Sequence, residues 1–256
     1  MNGAKYRVLN WDSVVAGTGV NRATTAALHA YAKRNNPQSP YLVANEHVAG
    51  RIAEFLCLPV PPHCVADRDE VTYFLSLSFN LTGEELPPAF PDEIVAHFPK
   101  EAAGIVIFDI YIANFDRHSR NLAAVTHSSP PRLSMFDHDR SLLGMVAGNG
   151  EKHLAQAAGS IVIDGSPGFG NRHCLLDVIP DGGLLDVWVE RVRGIPDWYL
   201  ENAAEEAQQY GQITAREAAA LGAFLKRRRE LLGRLLGDAV ARGAFPGLQQ
   251  RGMIYE

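Results

Sequence analysis

Residues 108–142, FDIYIANFDRHSRNLAAVTHSSPPRLSMFDHDRSL, run from an apolar helix into a polar turn, then through a short strand into a second polar turn. The first turn carries Asp116-Arg117-His118-Ser119-Arg120-Asn121 and the second Asp137-His138-Asp139. Carboxylates and one amide are therefore concentrated on two turns between segments apolar enough to be buried. Asp116 and Asn121 stand five residues apart, and Asp137 follows sixteen residues later. Phosphoryl transfer requires one carboxylate to take the proton of the attacking hydroxyl, and an Asn with a second Asp to hold magnesium. Asp116, Asn121 and Asp137 fit those roles in that order. The bland alternative is a solvated turn whose Asp, Asn and Ser serve as helix caps. It suits the first cluster better than it suits both together.

Outward from this stretch, residues 101–114 are apolar almost all round, as in a helix buried on every side. Asp109 lies inside that run and must be paired or hydrogen-bonded there. Further upstream, Leu42 to Leu58 places Val48, Ile52, Phe55 and Leu56 on one helical stripe. Glu46 sits at the stripe's edge beside Ala49 and Ala53, whose small side chains leave room for a carboxylate to reach inward. Lys33 ends the strand before it. A phosphotransferase needs a strand lysine on the α- and β-phosphates and a helix glutamate holding that lysine, and Lys33 and Glu46 have the order and spacing for it. A surface lysine and a first-turn glutamate favoured by the helix dipole match the same pattern. Ser13 to Leu28 reads as strand, glycine turn and strand around Gly17-Thr18-Gly19. Glycines let backbone amides approach phosphate oxygens, but most such turns are plain hairpins, and no G-K-[ST] follows.

In the C-terminal half, Leu143 to Cys174 is mixed and glycine-rich, with a G-x-G stretch at 164–170 that reads as a mobile loop, and residues 182–199 read as a helix closed by Gly194-Ile195-Pro196. Thr214-x-x-Glu217 is a capping box. It opens a helix with Leu221, Phe224, Leu225, Leu231, Leu232 and Leu235 on one stripe. Arg228 falls on that stripe and is expected to pair with a buried acid. Arg117 and His118 read as residues behind the reacting groups, Arg117 pairing with a carboxylate or a phosphate.

The run Asp109…Asn114-x-Asp116-Arg117-His118-x-x-Asn121-Leu122, followed by a strand and Phe136-Asp137-His138-Asp139, resembles the catalytic core of HipA-like kinases. That family is related to serine/threonine toxin kinases, and it shares D-R-H-x-x-N with phosphatidylinositol kinases. The segment from Lys33 through Asn36-Pro37, Leu42-Val43, Asn45-Glu46 and Ile52 to Pro59-x-Pro61-Pro62 is also similar to the family, as is the Trp- and Arg-bearing helical tail. The likeness runs from about the glycine turn to Leu236. It implies Asp116 as catalytic base, Asn121 and Asp137 as metal ligands, Lys33 and Glu46 as a functional pair, and Gly17, Thr18 and Gly19 as a loop over the phosphates. ATP and magnesium follow as cofactors, with a protein serine or threonine as acceptor. Asn80-Leu81-Thr82-Gly83 would be the hinge, and Ser13 or Thr18 the site of a self-phosphorylation known in the family. His138-Asp139 stands where ordinary protein kinases carry Phe-Gly, which leaves open whether Asp139 joins the metal site.

The expected fold is α+β, two-lobed and protein-kinase-like, with a small β-rich lobe over 1–81 and a mainly helical lobe over 82–256. A chain of 256 residues can bury the core this needs. The formal net charge of −5 argues against a nucleic-acid partner gripped through its phosphates. The three cysteines, Cys57, Cys64 and Cys174, lack metal-site spacing and are expected as buried thiols in a reducing compartment. No apolar run is long enough to span a membrane and no signal-like segment opens the chain, so a cytoplasmic protein is expected. Three other readings stay open. One keeps the fold with a small molecule or lipid headgroup as acceptor. Another is a metal-dependent HD-type phosphohydrolase built on Asp116, His118 and His138-Asp139. The last is a non-catalytic, ATP-binding pseudokinase.

Overall fold

The computed structural model describes residues 8–15, 23–79, 89–161, 163, 165 and 172–249. Gly17, Thr18, Gly19 and the hinge segment 80–83 lie outside the described residues. Strands β1 (Val8–Val15) and β2 (Ala23–Leu28) form an antiparallel hairpin, in which β1 carries Ser13. A second antiparallel sheet has the order β3-β5-β4, from β3 (Ala30–Lys33), β4 (His63–Arg68) and β5 (Val71–Leu77). Between β3 and β4 runs helix α1 (Leu42–Phe55), which packs on β4 and β5. Its N-terminus lacks a side-chain cap of its own. Instead the Asn35 side-chain oxygen, set by the turn at Asn36, accepts from the Val43 amide at 2.9 Å.

Further along the chain come α2 (Pro91–His97) and α3 (Pro99–Tyr111), each with proline in its first turn, where no amide is needed. In α3 every residue from Ala102 to Tyr111 is buried, which is why no amphipathic period shows in the sequence. Each fully buried Ile or Phe there contributes about 1.5–3 kcal/mol. A Cβ on Gly104 would come within 2.5 Å of the Trp188 ring, so glycine is what lets the neighbouring helix α5 (Gly182–Arg193) approach. The hairpin β6 (Leu122–Val125) and β7 (Arg132–Met135) follows α3 through one 3-10 turn, Ser119–Asn121. The remainder is helical: α4 (Gly150–Ala157), α5, α6 (Asp197–Gln209), α7 (Ala215–Ala241) and the short α8 (Pro246–Gln249). The capping box at Thr214 and Glu217 forms as its sequence requires. The expected α+β, two-lobed kinase-like architecture is present, with α1 facing strands on one side and α6 on the other. Among the described residues, no helix is long and apolar enough to cross a membrane.

Several expectations are corrected. The helix expected over 182–199 closes at Gly194, as its Gly-Ile-Pro stop predicts, but residues 197–199 belong to a second helix, α6, with Pro196 as its N-cap. Helix α4 lies inside the stretch read as mixed and glycine-rich. The amides of Gly148, just before it, and of Gly150, its first residue, donate to the Tyr41 hydroxyl, a tertiary partner that no local pattern reveals. Arg228 is fully buried but has no acid partner among the described residues. Its guanidinium donates to the carbonyls of Ile110, Tyr111 (2.9 Å), Ala157 and Ser160 (2.9 Å), where α3 and α4 end. Helix C-termini leave such carbonyls unpaired and negatively polarised, so an arginine is satisfied there without a carboxylate. Burial lowers its pKa to about 10, the Tyr111 phenol opposing. Cys57 and Cys64 are exposed and Cys174 is partly buried, so the three are not a set of core thiols. Phe55 lies 39% exposed, against Tyr199, instead of within the apolar stripe of α1.

Candidate active site

The β6–β7 hairpin assembles the two polar turns. Leu122 pairs with Met135, so the residues just outside the pair, Asn121 and Phe136, are neighbours, and the Phe136 amide donates to the Asn121 carbonyl at 3.1 Å. Asp137 follows at once, with φ +66°. A non-glycine residue in this left-handed region costs about 1–2 kcal/mol, so the surrounding contacts hold it there. Asn121 donates its amide Nδ2 to the Asp116 carbonyl at 3.0 Å, a bond that does not use its acceptor Oδ1. Asp116 is partly buried and pairs with Arg140, Nε to Oδ2 at 3.3 Å.

Beneath these turns lies a buried cluster centred on Asp109. Arg117 forks onto it with Nε–Oδ2 at 2.8 Å and Nη2–Oδ1 at 3.1 Å, and both side chains are fully buried. His173 Nε2 lies 3.0 Å from Oδ2, and Asn114 Nδ2 donates to Oδ1 at 2.8 Å. Burial alone would raise the Asp109 pKa, but Arg117 and the His173 hydrogen bond hold it well below the carboxylate range. The remaining Arg117 nitrogen, Nη1, donates to the carbonyls of Asn121 (3.2 Å) and Phe136 (2.5 Å). One guanidinium thus spans the buried acid and the backbone of both turns. Of the two partners expected for Arg117, a carboxylate or a phosphate, the structure supplies the carboxylate of Asp109.

The small-lobe residues arrive from the other side. Lys33 Nζ lies 2.5 Å from Glu46 Oε1 and 3.0 Å from Asp137 Oδ1. The sequence separates Lys33 from Asp137 by 104 positions. Glu46 is 2% exposed, and its second oxygen, Oε2, lies 3.2 Å from His138 Nδ1. Burial would raise the Glu46 pKa, but the Lys33 charge and the His138 hydrogen bond outweigh it and bring it to about 2. Burial likewise pulls the Lys33 ammonium pKa down, and Glu46 and Asp137 together more than reverse that. Asp139 turns toward the segment before α1: its Oδ2 accepts from Ser39 Oγ at 2.7 Å, and its carbonyl accepts from Asn45 Nδ2 at 2.7 Å. Its carboxyl pKa is raised by burial, with neighbouring Asp137 adding to the rise against the Ser39 hydrogen bond.

Lys33, Glu46 and Asp137 are therefore brought together, and Asp116 and Asn121 share one loop beside them. Three partners escaped sequence reasoning. His138 was read as a stand-in for Phe, whereas it binds Glu46. His173 follows a glycine-rich stretch without any local signal. Arg140 follows the second turn with nothing to distinguish it from a surface arginine. The donor set suits magnesium bound with a nucleotide, since that ion takes oxygen ligands from one or two carboxylates and from phosphates rather than from an all-protein cage. Asp137 carboxylate, 39% exposed, and Asn121 Oδ1 supply such oxygens. The constellation of an HD-type hydrolase does not form. His138 is committed to Glu46 and Asp139 to Ser39, and no group of three or more His, Cys, Asp or Glu side chains among the described residues is placed to share a metal.

Fold and site together define a two-lobed kinase-like protein. Two solved structures are similar to it. The Helicobacter pylori proinflammatory kinase CtkA superposes with a TM-score of 0.59 at 13% sequence identity, over 84% of this chain and 91% of that one. The HipA–HipB complex with operator DNA from Shewanella oneidensis MR-1 gives a TM-score of 0.42 at 11% identity, over 93% of this chain and 67% of that one. The first establishes a shared fold, and the second is too distant to carry an argument. No family model matches the chain, and no curated protein matches it in sequence.

Proposed function

We propose that the chain is an ATP- and magnesium-dependent phosphotransferase whose acceptor is a serine or threonine hydroxyl of a protein. The observation that carries the reading is Lys33, an ammonium held between Glu46 of α1 and Asp137 of the opposite lobe. A lysine for the α- and β-phosphates requires the ion pair to a helix glutamate, and Asp137 beside it has the carboxylate that a metal-holding position requires. The acceptor class rests on the resemblance of the two polar turns to HipA-like kinases. Magnesium held by Asn121 and Asp137 would neutralise charge on the phosphate oxygens. Asp116 orients the acceptor hydroxyl and takes its proton as the oxygen–phosphorus bond forms and the bond to the ADP oxygen breaks. Arg117 keeps both turns in register through their carbonyls, so catalysis rests on positioning and charge neutralisation.

Calorimetry with ATP, with and without magnesium, tests the binding step: affinity should depend on the metal, and Asp137→Ala should remove that dependence. Equal affinity in both conditions would sink the reading. Asp116→Asn should keep nucleotide binding and lower ADP release by roughly 10²- to 10⁴-fold, the range for a positioned acid–base group. Wild-type rates in that variant would reassign the base.

A further inference from the structure

We propose that Arg140 is a catalytic residue, a guanidinium supplied in cis that neutralises charge on the phosphoryl group during transfer. The inference rests on the phosphotransferase reading and adds a residue to it. Its ground is the placement of cations around Asp116. Lys33 is engaged by Glu46 and Asp137. Arg117, inside the catalytic loop, is fully buried and turned onto Asp109. Arg140 instead lies on the reacting carboxylate itself, with Nε 3.3 Å from Asp116 Oδ2 and a side chain 42% exposed. Among the described residues, neither of its Nη nitrogens has a hydrogen-bond partner.

The backbone delivers this side chain from a rigid base. The Arg140 carbonyl accepts from the Phe115 amide at 3.4 Å, and the Leu142 amide donates to Ile112 at 3.0 Å. Ser141 Oγ donates to the His138 carbonyl at 2.6 Å, and Ser141, Leu142 and Leu143 are all buried. Arg140 is thus the solvent-facing residue of a segment fixed to the catalytic loop on one side and to the metal-holding turn on the other.

The chemistry needs a cation at that place. As the acceptor oxygen bonds to phosphorus and its proton passes to Asp116, the bond from phosphorus to the departing ADP oxygen breaks, and negative charge spreads over three phosphoryl oxygens. The acceptor hydroxyl must touch both Asp116 and the phosphorus, so those oxygens come close to the Asp116 carboxylate. A fork that binds Asp116 through Nε can present its Nη groups to them, which a lysine cannot do with one nitrogen.

The test uses ADP, magnesium and aluminium fluoride, which together imitate the planar phosphoryl group in transit. Calorimetry on the full chain compares Mg-ADP affinity with and without the fluoride, and ADP release from Mg-ATP is followed in parallel. Wild type should tighten by about 100-fold or more with the fluoride, as transition-state analogues do. Arg140→Ala should bind Mg-ADP as wild type does, lose most of the tightening, and release ADP roughly 10²- to 10³-fold more slowly at an unchanged KM for ATP. Arg140→Lys should recover little, and added guanidinium at a non-denaturing concentration should restore part of the Arg140→Ala rate. An Arg140→Ala protein that keeps both tightening and turnover overturns the proposal, as does one that turns over faster, which would make the arginine a plug on the base. Wild type that binds Mg-ADP without tightening overturns it too. Wild type that binds no Mg-ADP at all overturns the phosphotransferase reading itself.

Discussion

Two buried carboxylates, Asp109 and Glu46, sit in nearly the same company. Each is held by one cation and one histidine: Asp109 by Arg117 and His173, Glu46 by Lys33 and His138. What differs is where the cation goes next. Arg117 is fully buried and spends its remaining nitrogen on backbone carbonyls. Lys33 is 32% exposed and reaches on to Asp137, itself 39% exposed. The first cluster closes on the protein, and the second opens on the site. The same chemical trio therefore closes on the scaffold in one place and, under the proposed function, serves as machinery in the other.

The largest effect that can break this comparison is on stability. Removing one partner of a fully buried pair leaves an uncompensated charge and costs about 3–5 kcal/mol. Asp109→Ala should lose stability on that scale in urea unfolding. Lys33→Met should lose less, because Glu46 keeps His138 and can take up a proton, yet it should abolish most turnover. Glu46→Ala should act alike, and the double variant should be little worse than either, since residues serving one geometry are non-additive. If Lys33→Met costs as much stability as Asp109→Ala, the two clusters are not different in kind.

A smaller effect concerns acid. Glu46 has a folded pKa of about 2 against its ordinary 4.5. A depressed carboxyl pKa adds stability that is full above the unfolded value and is lost as pH falls from 4.5 toward 2. Lys33→Met removes the largest cause of the depression, so its acid-unfolding midpoint should rise toward neutral pH. Circular dichroism across that range shows the shift. An unmoved midpoint would mean that Asp109, also held down, alone governs the acid transition.

How much of this was legible in the sequence follows from how local each signal is. Asp116, Asn121 and Asp137 could be placed because one hairpin joins them, and hairpin register is written in nearby residues. Asp109 stood out as a charge inside an apolar helix. Lys33 and Glu46 were ambiguous from the residues alone, because the contact that gives them meaning lies 104 positions away, at Asp137. His173, the carbonyl cage around Arg228 and the Tyr41 cap on α4 were out of reach for the same reason. In each, a polar group is satisfied by a distant partner that leaves no periodic trace.

The smallest expected effect sits where the scaffold hands over to the site. Helix α3 ends in a Schellman arrangement, with the Asn114 amide donating to the Asp109 carbonyl at 2.9 Å and the Ala113 amide to Ile110 at 3.3 Å. Ala113 therefore holds φ +52°, a position that glycine ordinarily fills. Relief of the left-handed strain offers about 1–2 kcal/mol, and the freer unfolded chain of a glycine variant takes back about 0.4–1 kcal/mol. Ala113→Gly should thus gain a few tenths to about 1 kcal/mol, seen as a rise in Tm of roughly 1–3 °C. Asp137 is the matched case, with φ +66° on the open side of the comparison. Asp137→Gly relieves similar strain but removes the carboxylate that meets Lys33, so metal-dependent nucleotide binding should vanish whatever happens to Tm. A Tm that falls in Ala113→Gly would show that the Ala113 methyl, 1% exposed and part of the core, contributes more by packing than its backbone costs.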